Sequence, residues 1–221
     1  MKLPLSASTY TPEQLVHKQH LMKQLTRFLP IAAVEYCSDR MMQFNLHLHI
    51  EVERKDRLGD YSPHLGKGNR ISINHNLNPF DFLITFLHEL AHHTAFKKFG
   101  NHHQPHGPEW KEEFKIHMRP VIGRGIFPPE VEHALIRHMQ RPSYTHTGDV
   151  VLVKALLRYD RKATELKMLD DLPHGALFKM SAKGRVILKK GDKRRTYIHC
   201  TGTDNGKAYL VHAVARVFPI E

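Results

Sequence analysis

His88-Glu89-Leu90-Ala91-His92 sets two imidazoles four residues apart, with a carboxylate one position after the first. On a helix, residues four apart share a face, so both rings can reach one ion. Glu89 stands beside that face, where it can take a proton from a metal-bound water without being a ligand. This is the pattern for metal-assisted hydrolysis: the metal lowers the pKa of the water and the glutamate accepts its proton. A catalytic zinc needs a third protein ligand and an open position. His106, in His106-Gly107-Pro108-Glu109-Trp110, is the chosen third ligand. Gly107 is expected to let the backbone approach the metal closely, and Trp110 to pack beside the site. His102, His103, Glu109 and Glu113 are the competing donors. Without a metal, the same residues would have to form a hydrogen-bonded polar cluster.

These side chains need a rigid carrier. Residues 78–100 supply it: Asn78 can cap a helix, Pro79 suits its first turn and Gly100 can end it. Apolar residues from Phe80 to Phe96 fall on nearly every side, so this helix is expected to be central. Two helices precede it, over 11–29 and 31–42. Phe44–Val52 and Arg70–His75 alternate as strands, and 44–75 reads as a hairpin with a long polar connection over 54–69. Pro108 and Pro128-Pro129 start two later helices, and 149–166 reads as one more. From about residue 172 the chain turns to short alternating runs. Gly191-Asp192 and Asp204-Asn205-Gly206 are expected as hairpin turns between them. The fold class expected is α+β: a helix–sheet–helix core over 1–148, a linking helix over 149–171 and a small antiparallel β module over 172–221.

The segments around the histidines resemble a known family. HELAH on a buried helix followed by HGPEW, with LGDY at 58–61, GKGNRISINHNLNP at 66–79 and FLITFLHELAH at 82–92, is similar to the SprT-like metalloproteases, the group that includes Spartan. The resemblance spans about residues 10–125. It implies a zincin-like core, one zinc ion on His88, His92 and His106, and Glu89 as catalytic base. For the Spartan branch it also implies DNA-dependent cleavage of proteins on DNA. Many members follow the protease domain with a four-Cys zinc ribbon. This chain has only Cys37 and Cys200, so a second zinc is not carried over. Nor does a Spartan-like tail follow, so a replication clamp and ubiquitin are not implied as partners.

The other histidines are expected to play ordinary parts. His93 should point about 100° away from His92, towards the surface. His17, His20, His117, His133 and His138 read as polar-face residues. Tyr61 and His64 are candidates for stabilising an oxyanion only because their loop precedes the active-site strand.

The chain of 221 residues carries 33 Lys and Arg against 22 Asp and Glu, a net of +11. Residues 151–221 hold 15 of the basic side chains against 7 acidic ones, so the excess is concentrated there. Lys189, Lys190, Lys193, Arg194 and Arg195, read as a hairpin tip beside Tyr197, suit phosphate contact and base stacking. No base-reading motif is present, so DNA binding is expected to be sequence-tolerant. No apolar stretch approaches a membrane span, and the N-terminal segment lacks the core of a signal peptide. A cytoplasmic location is expected. Together these features predict a zinc-dependent endopeptidase acting on protein substrates near nucleic acid. The alternative is a nucleic-acid-binding protein with a structural or latent zinc site and no protease activity.

Overall fold

The structure is a computed structural model that describes residues 10–220 apart from 55, 64–67, 103, 141–147 and 161–165. It is mixed α+β and divides into two compact units, residues 1–142 and 143–221. His64 and His103, expected near the site, lie outside the described residues.

The first unit opens with α1 (Pro12–Leu25), started by a capping box in which Thr11 and Gln14 each bond the other's backbone N–H. Helix α2 (Ile31–Phe44) ends at Asn45, whose left-handed backbone turns the chain into β1 (Leu46–Glu51). Strand β2 (Gly59–Ser62) and strand β3 (Asn69–Asn74) complete a three-stranded sheet in the order β1-β3-β2. The expected hairpin is not formed. Strand β1 pairs with β3 in parallel, Leu46 opposite Asn69 through to Glu51 opposite Asn74. The stretch read as a loop contains β2, which pairs antiparallel with β3 on its other side. Alternation shows which face a residue takes but not the strand's direction, and this connection is long enough to carry the chain back to its start. Arg54 fixes the connection: it donates to Asn74 Oδ1 and Ser72 Oγ, while Asn74 Nδ2 donates to the carbonyls of Arg54 and Arg57.

Helix α3 (Pro79–Phe99) forms as expected. Asn78 Oδ1 accepts from the N–H groups of Phe80 and Asp81, and Gly100 closes the helix at φ 60°. Phe82, Leu83, Phe86, Leu87 and Leu90 are fully buried on it. A 3₁₀ turn (Gly100–His102) follows, then α4 (Pro108–Met118) and α5 (Pro129–Gln140). Trp110 and Phe114 of α4 stack at 5.2 Å on each other and both rings lie against His88 of α3.

The second unit contains α6 (Val150–Leu157), capped by Asp149, which is shorter than the expected 149–166. Its sheet comprises β4 (Lys167–Met168), β5 (Leu177–Lys179), β6 (Leu188–Arg194), β7 (Tyr197–Gly202), β8 (Ala208–His212) and β9 (Arg216–Ile220). Every pairing is antiparallel, in the order β4-β9-β5-β6-β7-β8. Its core gathers Leu169, Leu172, Phe178, Leu188, Ile198, Cys200 and Val217. Leu169 and Leu172, from the stretch around the end of the expected linker, are therefore part of this unit's core. No helix among the described residues is long and apolar enough to cross a membrane.

Candidate metal centre

Helix α3 delivers His88 and His92 one turn apart, and the turn before α4 brings His106 to meet them. The three Nε2 atoms lie 3.1 Å (His88 to His106), 3.3 Å (His88 to His92) and 3.0 Å (His92 to His106) apart. This triangle fits a cation better than a hydrogen-bond network. Each Nε2 carries at most one proton, so three of them cannot all be bonded pairwise while neutral. Three ligand nitrogens at about 2.0–2.1 Å from a tetrahedral ion would stand roughly 3.3–3.4 Å apart, close to what is seen. His88, His92 and His106 are thus close enough to hold a metal ion. Burial, reinforced by Lys111, holds the His106 pKa below its ordinary value, which favours the neutral imidazole that a metal requires.

Trp110 supports all three rings. Its ring lies 4.6 Å from His88, 5.3 Å from His92 and 4.7 Å from His106, and its indole N–H donates to the His88 carbonyl. His106 takes the left-handed backbone, with φ 61°, whereas a β-carbon on Gly107 would meet the Gln104 carbonyl at 2.9 Å. Gly107 is therefore needed for the tightness of the 104–107 turn that presents His106. The competing donors sit elsewhere. Glu113 is buried and paired with Lys98 at 2.5 Å, and neither Glu109 nor His102 joins the triad.

Glu89 is buried next to His88 and accepts a hydrogen bond from the backbone N–H of Tyr61 in β2. Burial and the Asp60 carboxylate push its pKa up to about 8, against Arg54, the Tyr61 N–H and Arg57. A carboxyl held this near neutrality is suited to exchanging a proton. Strand β2 crosses so near that a β-carbon at Gly59 would clash with both Glu89 and Thr85.

Two expectations about flanking histidines need correction. His93 is not at the surface: its Nδ1 lies 3.2 Å from the Tyr61 hydroxyl, which donates to Asn69 Oδ1. With its hydroxyl taken by Asn69 and His93, Tyr61 contributes a backbone donor to Glu89, a role the sequence reading missed. The adjoining GDYS run was too short to mark as a strand. His117 and His138 are also buried rather than on polar faces, and His117 Nε2 contacts Thr94 Oγ1 at 3.0 Å.

In the second unit the structure separates the five basic residues. Gly191 and Asp192 lie inside β6 at a register shift, and the chain turns at Arg195 and Thr196 instead. A β-carbon on Gly191 would meet the His199 carbonyl at 2.8 Å, so glycine serves the bulge here. Lys190 points inward and donates to the carbonyls of Asp170 and Leu172, so it cannot meet a phosphate. Lys193 pairs with Asp170 at 2.8 Å. Lys189, Arg194 and Arg195 remain exposed, with no acidic partner among the described residues. Exposed Tyr197 packs edge-on against His212 across the β7–β8 ladder.

Comparison of the chain with protein-family models, with curated proteins and with solved structures finds no match.

Proposed function

We propose that the chain is a zinc-dependent endopeptidase of SprT-like type with a zincin-like core. The observation that carries this reading is the triangle of three Nε2 atoms 3.0–3.3 Å apart, two of them on the buried helix α3, with a buried carboxylate on the residue after His88. His88, His92 and His106 would hold the ion, which when bound supplies Lewis-acid polarisation of a peptide carbonyl and acidifies a water. The chain's own residues do the rest. Glu89 takes the proton from the attacking water and returns it to the leaving amine. The Tyr61 N–H and the close pass of Gly59 fix the carboxylate that does so. Trp110 closes the side of the site under the imidazoles and keeps their geometry from relaxing.

Nucleic-acid association is the second part of the proposal. Arg194, Arg195 and Tyr197 at the β6–β7 turn support it, because unpaired cations beside an exposed ring suit a phosphate backbone and a stacked base, while exposed Lys189 lies at the other end of β6. DNA would then bring protein substrates to the protease rather than take part in the chemistry.

The decisive experiment compares the parent with Glu89→Gln for bound zinc and for cleavage of casein and of a DNA-bound protein, with and without single-stranded DNA. The variant should keep one zinc and lose cleavage. Equal cleavage by both proteins overturns the mechanism. Zinc and DNA binding without cleavage by the parent under any condition indicates a latent site in a nucleic-acid-binding protein.

A further inference from the structure

In the first unit, β1 is an edge strand: the sheet order leaves β3 on one side of it only. A groove of about 620 Å³ runs along its other side, between β1, α1 and the end of α2. Every residue from Asn45 to Ile50 lines it. Consecutive strand side chains point to opposite faces, so a groove touching all of them follows the strand's edge rather than one face. Parallel pairing to β3 uses alternate backbone groups of β1, and the others point towards this groove.

The walls indicate what fits. Leu21, Leu25, Phe28, Met42, Leu48 and Ile50 make an apolar floor and sides. The polar lining consists of Arg27, the imidazoles of His17, His47 and His49, and the amides of Gln24 and Asn45, with no carboxylate. Arg27 is exposed and has no acidic partner among the described residues. A strand edge satisfies the backbone of an extended chain, apolar walls take alternate side chains, and an acid-free basic rim selects against cationic ones.

We propose that this groove binds an extended segment of a partner protein, with apolar residues alternating with acidic ones, by adding it as a strand to β1. The six residues of β1 offer room for a segment of about the same number, roughly 20 Å long. The surface belongs to neither the histidine triad nor the basic β module, so it can act as a docking point whether or not the chain is a protease.

The test uses the full chain carrying Glu89→Gln, so that peptide is not consumed, and a fluorescein-labelled peptide of alternating valine and glutamate. Polarisation should show saturable binding. Replacing the glutamates by lysines should abolish it. N-methylating alternate residues of the peptide should weaken it at least tenfold in one of the two registers, since that blocks ladder bonds and leaves the side chains. Arg27→Glu and Leu48→Lys, both remote from the triad, should each weaken it at least fivefold with the zinc content unchanged. Circular dichroism should show Leu48→Lys folded, and Arg27→Glu, at an exposed position, gives the same answer without touching the core. Equal binding of the acidic and basic peptides overturns the proposal, as does indifference to N-methylation in both registers. Tighter binding after deletion of residues 1–9 would assign the groove to the chain's own N-terminal segment instead.

Discussion

Gly59 lies so close to Glu89 that a β-carbon built on it would stand 2.7 Å from Oε1 and 2.9 Å from Cγ. The same atom would stand 2.7 Å from Thr85 Cγ2, so the strand cannot ease away by moving the carboxylate alone. Strand β2 therefore does more than extend the sheet: it presses on the Glu89 carboxylate from one side and bonds it through the Tyr61 N–H. Gly59→Ala is expected to cut kcat/KM by about 10–100-fold, because misplacing a reacting group by about 1 Å costs that much. Zinc stoichiometry should remain at one per chain. Peptidase kinetics and metal analysis on the same preparation check this, and a variant with full activity removes the positioning role.

The three imidazoles share one ion in the proposed function, so losing one should cost more than losing an outer partner, which typically costs about 10–100-fold in affinity. His106→Ala is expected to weaken zinc binding by at least about a hundredfold. His93→Gln, by contrast, should retain zinc, because His93 contacts Tyr61 and lies outside the triad. Competition with a chromophoric chelator distinguishes the two. In the parent, zinc at about 100 times its dissociation constant should stabilise the folded state by about 2.7 kcal/mol, seen as a rise in Tm that a chelator reverses.

How far the site was legible depended on which residues carried their context in sequence. Helix α3 announced itself through Asn78, Pro79 and Gly100, and His106 through the short run to Trp110. His93 was half read. The 100° rotation away from His92 correctly removed it from the triad, but α3 is apolar on nearly all sides, so turning away from the triad meant turning into the core. The direction of β1 relative to β3 was not legible, because alternation is the same for parallel and antiparallel strands. Gly191-Asp192 has turn chemistry, yet the ladder runs through it as a bulge and turns at Arg195, which takes φ 48° without being glycine. That shift reassigns Lys190 from tip to core.

His117, outside the histidine triad, gives the first unit a pH dependence of its own. Burial pushes its pKa down to about 4, with Arg40, Lys98 and His93 adding to the effect and Glu113 opposing it. The unfolded chain binds the proton near the ordinary value of about 6.5, so protonation favours unfolding. The stability is fully present above that value and is lost as pH falls from about 6.5 to about 4. The loss is at most about 3.5 kcal/mol, at roughly 1.4 kcal/mol per pH unit. Urea unfolding at pH 7.5 and 4.5 should show the parent losing more than His117→Gln. Equal losses would show that His117 already carries its proton when folded.

The basic residues of the second unit should separate into two classes. Arg194 and Arg195 are exposed at the β6–β7 turn, so Arg194→Ala and Arg195→Ala should each weaken single-stranded DNA binding. Each should also lower the slope of log affinity against log salt by about 0.7, the value for one lost phosphate contact on a single strand. Tyr197→Ala should weaken binding with the salt slope unchanged, since stacking releases no counterions. Lys190→Met should act on stability instead. Its ammonium is held by the carbonyls of Asp170 and Leu172, so the variant should lose about 1–3 kcal/mol of stability to the unsatisfied carbonyls and keep its salt slope. Anisotropy titrations at four salt concentrations, run beside thermal melts, read both quantities. If Lys190→Met lowered the salt slope as much as Arg194→Ala, the buried lysine would have to reach the DNA, and the assignment of the exposed β6–β7 turn as the phosphate contact would fail.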